Sequence, residues 1–122
     1  RPKLSSRGAG FDDLDSDGNV DVVVLNSRRE STVIRNVSQT GNHWIQIRLR
    51  GVTASRDAVG SHVRVTAGGR TQLAEVHSGR SYQSHFGTTL HFGLGTAAAA
   101  DSAGCSTKPI GTGPFVMESR DI

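Results

Sequence analysis

The run Asp13-Leu14-Asp15-Ser16-Asp17-Gly18-Asn19-Val20-Asp21 passes without a break into Val22-Val23-Val24-Leu25. With Asp12, five aspartates fall within ten positions. Charges of one sign this close repel unless something cationic sits among them. Counted from Asp13, aspartates occupy positions 1, 3, 5 and 9, glycine position 6 and asparagine position 7. Calcium takes six to eight hard oxygens at about 2.4 Å, and a curled backbone can bring alternate side chains to one ion. Gly18 permits the sharp turn, and the Asn19 carbonyl can complete the ring. An EF-hand would carry a bidentate Glu at position 12 and a following helix. Here position 12 is Val24, and the β-branched run favours a strand. The pattern therefore predicts a calcium loop entering a β-strand, with Asp13, Asp15, Asp17, Asn19 and Asp21 as ligands. Asp12 falls between ligand positions and is expected to face solvent. Magnesium prefers fewer carboxylates and more water, and zinc would want Cys or His. The ion is expected to be structural, since no substrate pocket is implied.

The flanking chain is also read as strands. Gly8 to Phe11 leads into the loop, Asp21 to Leu25 leaves it, and Thr32 to Arg35 returns after the polar turn Asn26 to Glu30. The polar stretch Gln39 to Asn42 reads as a linker. Beyond it, Ile45, Ile47 and Leu49 alternate with Gln46, Arg48 and Arg50, and Val63, Val65 and Ala67 alternate with His62, Arg64 and Thr66. Period-2 patterning of this kind puts the apolar set on one face. Gly68-Gly69 is a hairpin signal, with Arg70 to His77 as the returning arm. Tyr82 to Phe86 and Thr89 to Phe92 complete the set. After Gly95 neither period persists, and residues 96–122 are expected to form an irregular tail. The expected fold is all-β: one β-propeller-blade-like repeat (1–38), a small antiparallel β-sandwich or barrel-like domain (42–95), and the tail.

Those residues carry two resemblances. "GAGFDDLDSDGNVDVVVLN" resembles an FG-GAP or VCBS-type repeat, the calcium-loop blade unit of integrin-like β-propellers. "NHWIQIRLRGVTASRDAVGSHVRV", "GGRTQLAEVHSGRSYQSH" and "LHFGLG" resemble the ASPIC/UnbV domain, which follows such repeats in the cartilage acidic protein 1-like family. The Arg56-Asp57, Gly60, Ser78-Gly79, Ser81-Tyr82 and His91 to Gly95 elements occur in that family's order. The resemblance implies the C-terminal piece of a longer protein, because a propeller closes only with several blades. It also implies a further strand with a Trp-Pro-x-Gly-like turn after "FGLG", which residues 96–122 do not display.

Other chemistries are poorly supported. The five histidines contain no H-x-H or H-x₃-H pair, although strand pairing could gather His62, His77 and His91. There is no G-x-S-x-G elbow and no phosphate-binding G-x-x-x-x-G-K-[ST]. Cys105 is the single cysteine, so no disulfide forms within the chain. Asn36-Val37-Ser38 is a glycosylation sequon. No apolar run approaches the roughly 18 residues of a membrane-spanning helix, and no secretory signal stands at the N-terminus. Away from the acidic loop, bases outnumber acids, and 12 of the 14 bases are arginine.

The expectation is a calcium-stabilised, extracytoplasmic interaction module without catalytic activity: secreted, cell-surface or periplasmic, with a protein or glycan partner. Its binding surface is sought at Arg56, Asp57, Arg80, Tyr82 and His85. One alternative is a polyanion or nucleic-acid binder using Arg48, Arg50 and Arg64, disfavoured because no aromatic platform interleaves the arginines. Another is an accessory domain of a larger enzyme.

Overall fold

The computed structural model describes residues 4–52, 55–97, 100–106 and 115–121. All regular structure among them is β, in three antiparallel sheets of three strands each. The chain divides into two compact units: Arg1–Gln39 with Gly79–Gly87, and Thr40–Ser78 with Thr88–Ile122.

The first unit holds β1 (Ser6–Asp12), β2 (Asp21–Asn26) and β3 (Thr32–Ile34), in the order β1-β2-β3. Phe11 lies opposite Val22 and Asp12 opposite Asp21, so the acidic loop closes the β1–β2 hairpin. On the other side Val22 pairs with Ile34, which brings the chain after β3 back beside the loop. The segment 79–87 lies against β1. Ser81 Oγ accepts the Ala9 N–H at 3.2 Å, and Phe86 meets Phe11 edge-on at 5.7 Å. Gly8 and Gly10 make this approach possible, since a Cβ at Gly8 would overlap Ser84 Oγ and one at Gly10 would press on Phe86.

Tyr82 to Phe86 is read above as a strand, and the structure corrects this. Gly79, Ser81, Gln83 and Gly87 all take positive φ, which breaks a pleated ladder. Among the described residues, none of the buried hydrophobic side chains lies in this unit. Phe11, Leu14, Leu25, Val33 and Ile34 are all about half exposed or more.

The second unit is a sandwich. One sheet is β7-β4-β9, from β4 (His43–Gly51), β7 (Leu90–Gly95) and β9 (Phe115–Asp121). The other is β6-β5-β8, from β5 (His62–Ala67), β6 (Arg70–Glu75) and β8 (Ser102–Ser106). Ile45, Ile47, Leu49, Leu90, Phe92 and Leu94 from the first sheet share one core with Val63, Val65 and Ala67 from the second. The period-2 pattern is thus met residue for residue: the alternate positions Arg48, Arg50 and Arg64 are exposed.

The returning arm of the β5–β6 hairpin ends at Glu75, not His77. Val76 is buried and bonds through its backbone to Gly60 and Ser61. The stretch 96–122, expected to be irregular, contributes β8 beside β5 and β9 beside β4. Ladder bonds are backbone to backbone, so two open strand edges can recruit partners that show no alternation of their own.

Ser61 is fully buried, and its Oγ has no hydrogen-bond partner among the described residues. An unsatisfied buried hydroxyl costs about 1–3 kcal/mol. Ser61→Ala removes that cost while keeping the volume nearly constant, so it is expected to raise stability by about 1 kcal/mol. Urea unfolding would read this as a higher midpoint at unchanged slope; a lower midpoint would show that the hydroxyl is satisfied.

Candidate functional site

The acidic loop is built by backbone strain and local hydrogen bonds. Ser16 and Gly18 take positive φ, of 61° and 87°, and these two reversals curl residues 13–19 around the Asp13 carboxylate. Asp13 Oδ1 accepts the Asp17 N–H at 3.1 Å and Oδ2 the Gly18 N–H at 2.9 Å. Asp21, the first residue of β2, is buried at 2% exposure. Its Oδ2 accepts the Leu14 N–H at 3.1 Å and its Oδ1 the Asn36 N–H at 2.8 Å. One carboxylate therefore ties the loop to the segment that follows β3.

These bonds fix the carboxylates without exhausting them. Donor atoms of Asp13, Asp15 and Asp21 all lie within 4.8 Å of one another. Each carboxylate offers about four lone-pair sites, and Asp13 and Asp21 use two apiece on backbone N–H groups. The remaining sites make an all-oxygen donor set that could hold a metal ion. Hard oxygens with no His or Cys among them suit a hard divalent cation better than zinc or copper.

The other expected ligands stand differently. Asp17 Oδ1 accepts the Asn19 N–H at 2.8 Å, an Asx turn, and its Oδ2 lies 3.9 Å from Arg35. The Asn19 side chain donates to the Ser38 carbonyl at 3.1 Å. Asp12 is exposed, as expected of a residue between ligand positions, and accepts the N–H of Asp13.

Arg35 has no signal in the sequence that ties it to the loop. Its guanidinium pairs with Asp15 and approaches Asp17. The hairpin register could have found it, since Val22 opposite Ile34 puts Asp21 beside Arg35. The pair is exposed, with the arginine side chain at 62%. Such pairs contribute about 0–1 kcal/mol, too little to offset three converging carboxylates.

The residues expected to form a binding surface fall in different units. Arg56 and Asp57 are exposed on the loop before β5 and make no ion pair with each other. Arg80, Tyr82 and His85 belong to the segment 79–87. There the Arg80 guanidinium lies 5.6 Å from the centre of the Phe86 ring, His85 Nδ1 accepts the Gly79 N–H, and Tyr82 is 57% exposed.

Strand pairing does not gather His62, His77 and His91. His62 and His77 approach Glu75 at 3.5 and 3.6 Å, while His91 stacks on Trp44 in the other sheet. Arg48 and Arg50 stand on the outward side of one sheet and Arg64 on that of the other, so the sandwich separates them instead of forming one basic face.

Residues 51–104 match the family model described as ASPIC and UnbV. No curated protein and no solved structure matches the chain.

Proposed function

We propose that this chain is a calcium-stabilised, extracytoplasmic binding module without catalytic activity. In this reading, residues 1–38 act as an FG-GAP or VCBS-like repeat clasped by the ion, and the sandwich is an accessory interaction domain. The observation that carries the proposal is the convergence of Asp13, Asp15 and buried Asp21 on one oxygen-lined point. Asp17 and the Asn19 carbonyl would complete the shell. Calcium is favoured over magnesium because it accepts several protein carboxylates and a flexible geometry. An extracytoplasmic setting fits a site of modest affinity, since extracellular modules work at about 10⁻⁴–10⁻³ M. The match at residues 51–104 supports the accessory role of the second unit. The separation of Arg48 and Arg50 from Arg64 counts against a polyanion-binding face.

The test is thermal unfolding in calcium, magnesium, zinc and EDTA, for the wild type and Asp17→Ala. Calcium at ten times its Kd is expected to stabilise by about 1.4 kcal/mol, with a smaller gain from magnesium and none from zinc. Asp17→Ala is expected to weaken the calcium response. A wild-type melting temperature unchanged between calcium and EDTA would defeat the proposal.

A further inference from the structure

We infer that the sandwich binds an extended peptide by strand addition at the outer edge of β7. The inference rests on the reading of the chain as a binding module, but not on the ion at the acidic loop. In their sheets β7 and β6 are both terminal, and neither edge carries a further strand among the described residues. Between them lies a cleft of about 480 Å³, with Gly68, Arg70, Gln72, Gly93 and Gly95 on its walls.

A side chain crosses the gap: Gln72 Nε2 donates to the Gly93 carbonyl at 2.7 Å. That bond fixes the direction of the β7 backbone. In an antiparallel strand the N–H and C=O of one residue point the same way, and residues two apart repeat that direction. The Gly93 carbonyl points away from β4, so the N–H groups of Gly93 and His91 also point out of the sheet. They are the donors an added strand requires. The sheet face over Gly93 is also uncrowded, since a Cβ there would meet nothing within 4 Å.

The Gln72 amide occupies the carbonyl that a peptide N–H would take, and so acts as a stand-in for the absent strand. Among the described residues on the cleft wall, Arg70 is the only charged one. The occupant is therefore an extended peptide with an acidic side chain placed to meet Arg70, its backbone supplying most of the contact.

The probe is a displayed library of random short peptides, panned on the full chain and followed by titration of the tightest peptide. Gly93→Pro is the decisive variant. Its N–H points away from β4, so proline there removes no β4–β7 ladder bond, and Gly93 does not hold a positive φ. Gly93→Pro is expected to keep the fold and weaken the peptide by about tenfold or more. Gln72→Ala is expected to bind at least as tightly as the wild type.

Hydrogen exchange on the wild type gives a readout that does not depend on any variant folding. The selected peptide should protect the amides of His91 and Gly93. Failure to select any peptide, or selection of peptides that protect amides elsewhere, would overturn the inference. Titration in EDTA should give the same affinity as in calcium, which separates this outcome from that of the acidic loop.

Discussion

Asp21→Ala is expected to abolish the response to calcium and to destabilise the first unit by about 2–4 kcal/mol even in EDTA. Two terms oppose one another. Removing the carboxylate relieves its repulsion with Asp13 and Asp15, whose donor atoms lie within 4.8 Å. At an effective dielectric near 20 a pair at that distance repels by about 3 kcal/mol, and in water by about 1. Exposed Asp15 is screened towards the lower figure. Against this, alanine strands the N–H groups of Leu14 and Asn36, both bonded to Asp21. Each lost partner costs about 1–3 kcal/mol in a part-buried setting.

The stranded donors prevail because the described residues of the first unit include no buried apolar side chain to fall back on. Its loop, hairpin and returning segment meet at this one carboxylate. Asp21→Asn separates the terms: it keeps an acceptor and sheds the charge. In EDTA it should lie closer to the wild type than alanine does, and in calcium it should fall clearly below. Calorimetry of the three proteins with and without calcium decides the matter. A wild-type calcium response in Asp21→Ala would remove Asp21 from the ligand set.

Ile47→Ala should be the most damaging substitution in the second unit, costing about 3–4 kcal/mol. Ile47 is fully buried on the central strand β4, among side chains from both sheets. Alanine loses the transfer free energy of the removed carbons and leaves a cavity that a strand held on both edges cannot collapse to fill. About 1 kcal/mol moves the melting temperature of a domain this size by roughly 4–8 °C, so a fall of more than about 10 °C is expected. The exposed neighbour gives the control: Arg48→Ala should change stability by less than about 0.5 kcal/mol. Similar losses in both variants would contradict the assignment of faces on β4.

The two sites differ in how they could be read from residues alone. Alternation over Ile45 to Arg50 and Val63 to Thr66 names the core side chains, because a strand turns successive residues to opposite faces whatever it pairs with. The acidic loop is legible for a related reason: its carboxylates are near neighbours in the chain, and Gly18 marks the reversal. Three of the expected ligands do converge. Arg35 escaped notice because its nearness to Asp15 depends on hairpin register, and Asn36 because its contribution is a backbone N–H.

The irregular segment 79–87 lay beyond such reasoning. Its apolar and aromatic residues imitate a strand, while positive φ at Ser81 and Gln83 forbids one. Strands β8 and β9 show the converse, having ladder partners without a period.

Sequence alone determined that this chain is all-β, which side chains fill its second unit, and where a loop of clustered carboxylates enters a strand. Each follows from spacing over a few residues, within the reach of local geometry. Only the tertiary structure decided that Asp21 is buried and doubly bonded, that the arginines stand on separate sheets, and that β6 and β7, each terminal in its sheet among the described residues, flank a cleft. These depend on which backbones meet across long separations, and hydrogen bonds between backbones carry no side-chain signature.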